Sequence, residues 1–470
     1  MRKTASFSSV LVRYAAPILS AAAAARLLYG SGEKILRLDK FSSPADAAVL
    51  AGAFFLVFCL SLLLPVFTGY VRTFRGVLFC ALPAALMLFL RVLSLSNATP
   101  DYIQFLSQWV SFFRTHGGFS ALGSIVGDYN FPYLYFTAAI SYLNLPDLYL
   151  IKLFSILFDV IAAWGGLKLT ECLLQNGLGH PQGDIPSVPS RKAPLAAYFV
   201  LLLLPTVILN GAYWGQCDSI YAAFALFSIY FALSNRPLVS VALMAAAFAF
   251  KLQAVFVMPL FLVLLLIRKI RLRHLFLFPV VYLLFCIPAL AAGRPFSAVW
   301  DIYLSQTGSY NSRLTLNAPS AMALLPQNAD VELWHKIGIA AAFLFVLLLL
   351  VYLFRNRKTV STQTLFLATL LFSLGIPLLL PHMHERYFFL FETLSVVYAC
   401  AVPKRFYLPI LAQGASLNGY CAYLGNSYAY PLKWSAVLLI AIFLVVLFDF
   451  WKQMQTGKPQ PGRRPGAAPS

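Results

Sequence analysis

"IGIAAAFLFVLLLLVYLFRNRK" occupies Ile337–Lys358, and its reading decides the fold. From Ile337 to Phe354 no side chain is charged, and Arg355, Arg357 and Lys358 then follow almost at once. A helix rises 1.5 Å per residue, so an uncharged run of about 18 residues crosses most of a ~30 Å hydrocarbon layer. A soluble helix of that length would carry a polar face. The basic cluster at its end is the mark of a loop retained in the cytoplasm.

The same pattern recurs along all 470 residues, of which 60% are hydrophobic and 11% charged. Further apolar stretches begin near Val10, Ala47, Gly76, Asp147, Ala193, Ile220, Leu238, Ala254, Leu275, Thr364, Phe388, Tyr407 and Ser435. The chain is therefore expected to be an all-α, polytopic transmembrane protein with about 12–14 spans of ~17–25 residues each. Its net charge of +19 would suit a nucleic-acid binder, but the Lys and Arg sit in short clusters between apolar runs, which argues against nucleic acid as a partner. The 7 cysteines have no paired spacing, so neither a disulfide frame nor a zinc site is implied. The N-terminal stretch imitates a signal peptide, yet Arg13 interrupts its apolar run, and a retained first helix is expected.

The organisation that follows is N-terminal helices over 1–96, an outer loop over 97–146, a transmembrane core over 147–292, a second outer loop over 293–336, C-terminal helices over 337–451 and a disordered cytoplasmic tail over 452–470. Basic clusters at Arg72 and Arg75, Arg191 and Lys192, Arg268–Arg273, Arg355–Lys358, and Lys404 and Arg405 are expected in the cytoplasm, with both termini. The alternate loops then face outward, and they collect Asp101, Asp128, Asp218, Asp301, His382, His384, Glu385 and Arg386. With only 16 Asp and Glu in the chain, that gathering reads as the lining of one site. Exclusion of carboxylates from the hydrocarbon explains part of it, but not why the opposite loops are nearly free of acid.

Several stretches carry possible chemistry. In the first outer loop, Ile103, Phe105, Leu106, Trp109, Val110, Phe112 and Phe113 make a helical apolar stripe, and Phe131–Leu143 makes a second; both are expected to lie flat in the membrane interface. Asp101 follows Thr99 and Pro100, so it could cap the first of these helices, which would account for it without a role in the site. "YWGQCDS" places Trp214, Gln216 and Asp218 in one turn, where an aromatic face, an amide and a carboxylate suit a sugar. The competing reading is an interfacial Trp with Asp218 as a helix cap. "FKLQAVF" sets Lys251 and Gln253 in an apolar run; the lysine either snorkels or binds an anionic group. "PHMHERYFF" packs His382, His384, Glu385 and Arg386 together. A zinc set would need another ligand, whereas a guanidinium with flanking imidazoles fits a phosphate, so a divalent metal is not expected. "DIYLSQTGSYNSRLTLNAPS", with Tyr303, Gln306 and Asn317, follows no helical pattern and is expected to cover a cavity.

Taken in order, "PDYIQFLSQWVSFFRTHGGFSALG", "GDYNFPYLY", "LYLIKLFSILFDV", "NGAYWGQCDSIY", "FKLQAVF", "YLSQTGSYNSRLTLNAP" and "HMHERYFF" resemble the GT-C type of polytopic glycosyltransferase. The likeness is to bacterial relatives of the GPI-anchor mannosyltransferase of PIG-V type, from about Asp101 to Tyr387. It implies an inverting transferase that moves a hexose, mannose in the family's label, from a polyprenyl-phosphate carrier to a glycan, lipid or protein acceptor at the outer face. Asp101 matches the family's first-loop Asp, which implies a general base, and Asp128, Tyr129 and Asn130 join the residues named above as substrate binders. No cofactor is implied. Two departures stand: no acidic DxD-like pair flanks Asp101, and two extra helices precede the usual first span. The chemistry is coherent, since a carboxylate to take the acceptor's proton and cations to stabilise a leaving phosphate are what Asp101, Arg386, His384 and Lys251 offer. Two other classes share the many-helix pattern. A lipid-linked saccharide flippase or exporter should show broken helices with charges at midspan and an internal repeat, whereas the charges here lie at span ends and no repeat is seen. An O-antigen-type polymerase or ligase would carry more arginine in its outer loops.

Overall fold

The computed structural model describes residues 43–179, 191–308 and 312–456. The expected first helix near Val10 and most of the tail lie outside them. Helices begin where short polar side chains can accept from free backbone N–H groups. The first, α1 (Pro44–Phe67), starts at Ser43, which accepts from Asp46 N at 3.2 Å. α2 (Phe74–Ser94) starts at Thr73, which accepts from Gly76 N at 3.1 Å. The chain continues through α3 (Ser107–Thr115), α4 (Phe131–Ile140), α5 (Asp147–Gln175) and α6 (Lys192–Leu203). It then forms α7 (Asp218–Leu233), α8 (Pro237–Phe250), α9 (Pro259–Leu266), α10 (Leu277–Ala291) and α11 (Ala298–Gly308). Last come α12 (Val331–Arg355), α13 (Thr362–Leu379), α14 (Phe389–Ala401), α15 (Tyr407–Gly425) and α16 (Leu432–Thr456). The strands β1 (Thr315–Leu316) and β2 (Met383–His384) form one short parallel pair.

The protein is an all-α integral membrane protein. Among the described residues seven helices are long and apolar enough to cross a bilayer, and an eighth span results if α6 and the segment to Trp214, bent by 47°, count as one. Five shorter apolar helices of 10–17 residues accompany them, α4, α7, α8 and α14 with Leu252–Leu266. α5 is central, packed against α6, α7, α14 and α1. α13 is buried without interruption from Thr364 to Leu378. By contrast α2 and α12 present Phe79, Leu82, Phe343 and Leu348 outward, apolar groups that suit lipid rather than water.

Four expectations from sequence are corrected. Helix α11 covers Asp301–Gly308, because Val299, Ile302 and Tyr303 recur on one face and are buried. α4 does not lie flat on a surface: Phe131, Tyr133, Leu134, Ala138 and Ile140 are all enclosed by protein. The beginning of the expected tail, 452–456, continues α16. Finally, charge is not confined to span ends. Asp159, midway along α5, pairs with Arg91 of the last turn of α2, with Nη2 2.8 Å from Oδ2 and both side chains enclosed.

That pair explains how a broken helix is tolerated. Pro205 has no N–H and ends α6, so the Leu202 carbonyl and the Thr206 N–H lose each other as helical partners. Arg91 Nη1 donates to the Leu202 carbonyl at 2.8 Å, and Gln413 Oε1 accepts from Thr206 N at 3.1 Å. Asp159 neutralises the guanidinium and also accepts from Ser219 Oγ at 2.5 Å. The break thus has side-chain partners on both sides, and the chain beyond it is free to turn toward the functional groups.

Candidate functional site

Asp101 is delivered by the end of α2. A helix end leaves carbonyls unpaired, and here Ser94, Leu95 and Asn97 carbonyls accept from Lys152 Nζ at 2.9, 2.9 and 2.7 Å. The three hydrogens of the enclosed ammonium are thereby matched to three oxygens. Thr99 starts the next helical segment, accepting from Tyr102 N at 3.4 Å and donating to the Trp214 carbonyl at 3.2 Å. Asp101 therefore does not cap: its backbone is already helical and its side chain makes no capping bond. A wide turn follows over Tyr102–Leu106, where Ser107 N donates to the Tyr102 carbonyl five residues back. Such turns insert an extra residue into a helix and re-aim its side chains. A second one, Leu209–Trp214, lies just beyond the Pro205 break.

These two turns face each other across Asp101. Its Oδ2 accepts from Trp214 Nε1 at 2.9 Å and from Gln216 Nε2 at 2.8 Å, and its Oδ1 accepts from the Tyr423 hydroxyl. Gln216 is itself fixed: its Oε1 accepts from the Tyr129 hydroxyl at 2.6 Å, and its carbonyl from Ser155 Oγ at 2.6 Å. Tyr423 stacks on Trp214 with 4.6 Å between ring centroids. The Arg386 guanidinium also lies over Trp214, 5.0 Å from the ring centroid, so one indole joins the carboxylate to the cation.

Beside Trp214 lies a group of four charges. Asp218 Oδ1 is 2.5 Å from Lys251 Nζ, and its Oδ2 accepts from Asn210 Nδ2 at 2.7 Å and lies 3.7 Å from Arg386 Nε. Arg386 Nη1 donates to Glu385 Oε1 at 3.0 Å. Asp218 sits at the first residue of α7 but makes no capping bond; its carboxylate is spent on the cations. Lys251 does not snorkel, because it interrupts the chain between α8 and the turn Leu252–Val257 and reaches inward to Asp218.

A cavity of about 1060 Å³ opens in front of these groups. Asp101, Asp128, Tyr129, Asn130, Gln216, Lys251, Gln253, Tyr303, Asn317, His382, His384, Glu385 and Arg386 all line it, as sequence reading had grouped them. Trp214 and Asp218 are 0% exposed, so they act from behind the wall rather than on a ligand. Asp301 is exposed and lies off the lining, and the side chain of Gln306 is outside the described residues. Asn130 is committed within the wall, its Nδ2 donating to the Tyr282 and Tyr303 hydroxyls at 3.2 and 3.1 Å. Asn317 Oδ1 accepts from Tyr428 at 2.6 Å.

The histidines separate. His382 faces His335, with Nε2 to Nδ1 at 2.8 Å, and the Arg313 carbonyl at 2.5 Å, while His384 faces Glu385, 3.9 Å from Nδ1 to Oε2. The His-x-His-Glu run thus does not converge as one set of ligands. Burial pushes the His384 imidazole below its ordinary value, with Arg386 and Lys251 adding to the effect against the opposing pull of Glu385. Sequence reading missed Tyr423, Asn210, Tyr420, whose hydroxyl accepts from Asn210 Nδ2 at 3.2 Å, Lys152, Arg91 and Asp159. Ionisable residues inside apolar runs were a signal for the last three. The tyrosines carried none, since they sit in a Tyr-rich helix end without local pattern. No family model matches the chain, and no curated protein matches it.

Proposed function

We propose that the cavity is the active site of a membrane glycosyltransferase that moves a hexose, mannose by family resemblance, from a polyprenyl-phosphate donor to an acceptor at the extracytoplasmic face with inversion. One observation carries the reading: Asp101, held by Trp214, Gln216 and Tyr423, shares a cavity wall with Arg386 and Lys251. A carboxylate that takes a proton, set beside cations that receive a leaving phosphate, supplies both ends of the displacement. Tyr129, Tyr303 and Trp109 on the same wall suit the faces and hydroxyls of a sugar. Each cation is already paired with a carboxylate, so the site accommodates a singly charged phosphodiester better than a diphosphate. The order of motifs from Asp101 to Tyr387, which resembles the GT-C type, supports the same reading. The test is to incubate purified protein with polyprenyl-phosphate sugars, each with candidate acceptors, and to determine which sugar is consumed.

A second reading has its own support. The breaks at Leu204 and Lys251, together with a buried carboxylate midway along α5, are features of transporters. Movement of a lipid-linked saccharide between leaflets of a proteoliposome, with no new glycosidic bond, would favour that flippase over the transferase.

A further inference from the structure

A base must accept a hydrogen bond from the hydroxyl it will deprotonate. On Asp101 three of the roughly four acceptor positions are already taken. Oδ2 is taken up by Trp214 and Gln216, which are 0% and 2% exposed. Oδ1 accepts from the Tyr423 hydroxyl, and Tyr423 is half-buried on the cavity wall. A hydroxyl approaching Asp101 through the cavity therefore meets the carboxylate where the phenol sits. Tyr423 is also placed to move. It lies in the last turn of α15, which ends at Gly425, and Asn426 follows in the left-handed region at φ 57°. Residues 425–431 are exposed but tied down, Tyr428 donating to Asn317 Oδ1 at 2.6 Å and Ala429 N to Asn418 Oδ1 at 2.9 Å, so the movement is that of the Tyr423 ring, which rests on Trp214 and Asp101.

We infer that Tyr423 is a stand-in for the acceptor: its hydroxyl holds the acceptor's place on Asp101 and keeps water from it until the acceptor displaces the ring. This rests on the transferase reading above. In transfer, the acceptor O–H proton passes to Asp101 while the acceptor oxygen bonds to C1 of the hexose. The bond from C1 to the phosphate oxygen breaks, and its electron pair leaves with the polyprenyl phosphate. Water in the acceptor's place undergoes the same exchange and wastes the donor as free hexose. A resident hydroxyl that does not attack suppresses that loss, because it satisfies the carboxylate and fills the space.

Tyr423→Phe keeps the ring and its stack on Trp214 and removes only the hydroxyl. With full-length purified protein and a polyprenyl-phosphate hexose, the ratio of hydrolysis to transfer is measured as free hexose released against glycosylated acceptor formed. The stand-in role raises that ratio about 10-fold or more. If the residue only orients Asp101, both rates fall together and the ratio is unchanged, which overturns the proposal. Tyr423→Leu, lacking ring and hydroxyl, must raise the ratio at least as far; a ratio at the unsubstituted level again overturns it. Should the unsubstituted protein consume no polyprenyl-phosphate hexose under any condition, the transferase reading fails and takes this inference with it. An active protein whose ratio ignores Tyr423 removes this inference alone.

Discussion

Asp101 and Arg386 do their proposed work as single side chains, and each is tested singly. Asp101→Asn keeps the hydrogen-bond geometry toward Trp214 on one oxygen but cannot take a proton, so turnover should fall about 100-fold or more with donor binding retained. Turnover near the unsubstituted rate would move the base to Asp128, which lines the same cavity. Arg386→Lys keeps a charge and loses the planar fork that reaches Glu385, Asp218 and a phosphate together, so it should impair the reaction strongly, whereas EDTA should leave it intact. Loss of turnover with EDTA and recovery with a divalent ion would make His384 and Glu385 candidates for a metal. At this scale the sequence was legible wherever a polar residue interrupted an apolar run. Lys251, Gln216 and Arg386 were visible that way, and all three line the cavity. What stayed hidden was depth: a run such as "YWGQCDS" does not say that Gln216 faces the cavity while Trp214 and Asp218 stand behind it.

Elements position those side chains through their irregularities. The Pro205 break, the two wide turns and the lysine-capped end of α2 all converge on the segment around Asp101 and Trp214, and the break and the α2 end have free backbone groups satisfied by side chains from other helices. Removing one such partner should be costly. Arg91→Met leaves Asp159 enclosed without its cation and the Leu202 carbonyl without its donor, which should destabilise the protein by about 3–5 kcal/mol. Thermal melting in detergent measures it. The pair Arg91→Leu with Asp159→Leu should recover part of the loss, since the lone charge is gone but the carbonyl at the break, at about 1–3 kcal/mol, is not. A double variant as unstable as Arg91→Met would mean the ion pair is not what holds the break. Hydrophobic runs announced the regular spans, but the wide turns could not be read from them, because one inserted residue leaves composition unchanged and alters only phase.

At the scale of the whole molecule, the helices run between two unlike ends. α2 leads from Arg75 to the segment carrying Asp101, α12 from His335 at the cavity to Arg355, and α13 from the loop after Arg357 and Lys358 to His382. The orientation expected from those clusters puts the cavity outside. A reporter placed after Lys269 should therefore be cytoplasmic and one inserted at the exposed Asn328 extracytoplasmic. The opposite labelling would put the cavity in the cytoplasm and make a nucleotide-sugar donor the reading to pursue. The all-helical, many-span architecture was plain from hydropathy, while the pairing of its ends was not, since contacts across a bundle leave no trace in local pattern. The clasp on Asp101 is the extreme case: Trp214 and Gln216 lie 113 and 115 positions away, and Tyr423 lies 322 away. During synthesis the proposed base enters the membrane long before its last partner is made. A ribosome-bound nascent chain that stops short of α15 would hold the carboxylate with its third partner missing, so the guard against water arrives late in biogenesis, when the C-terminal helices dock.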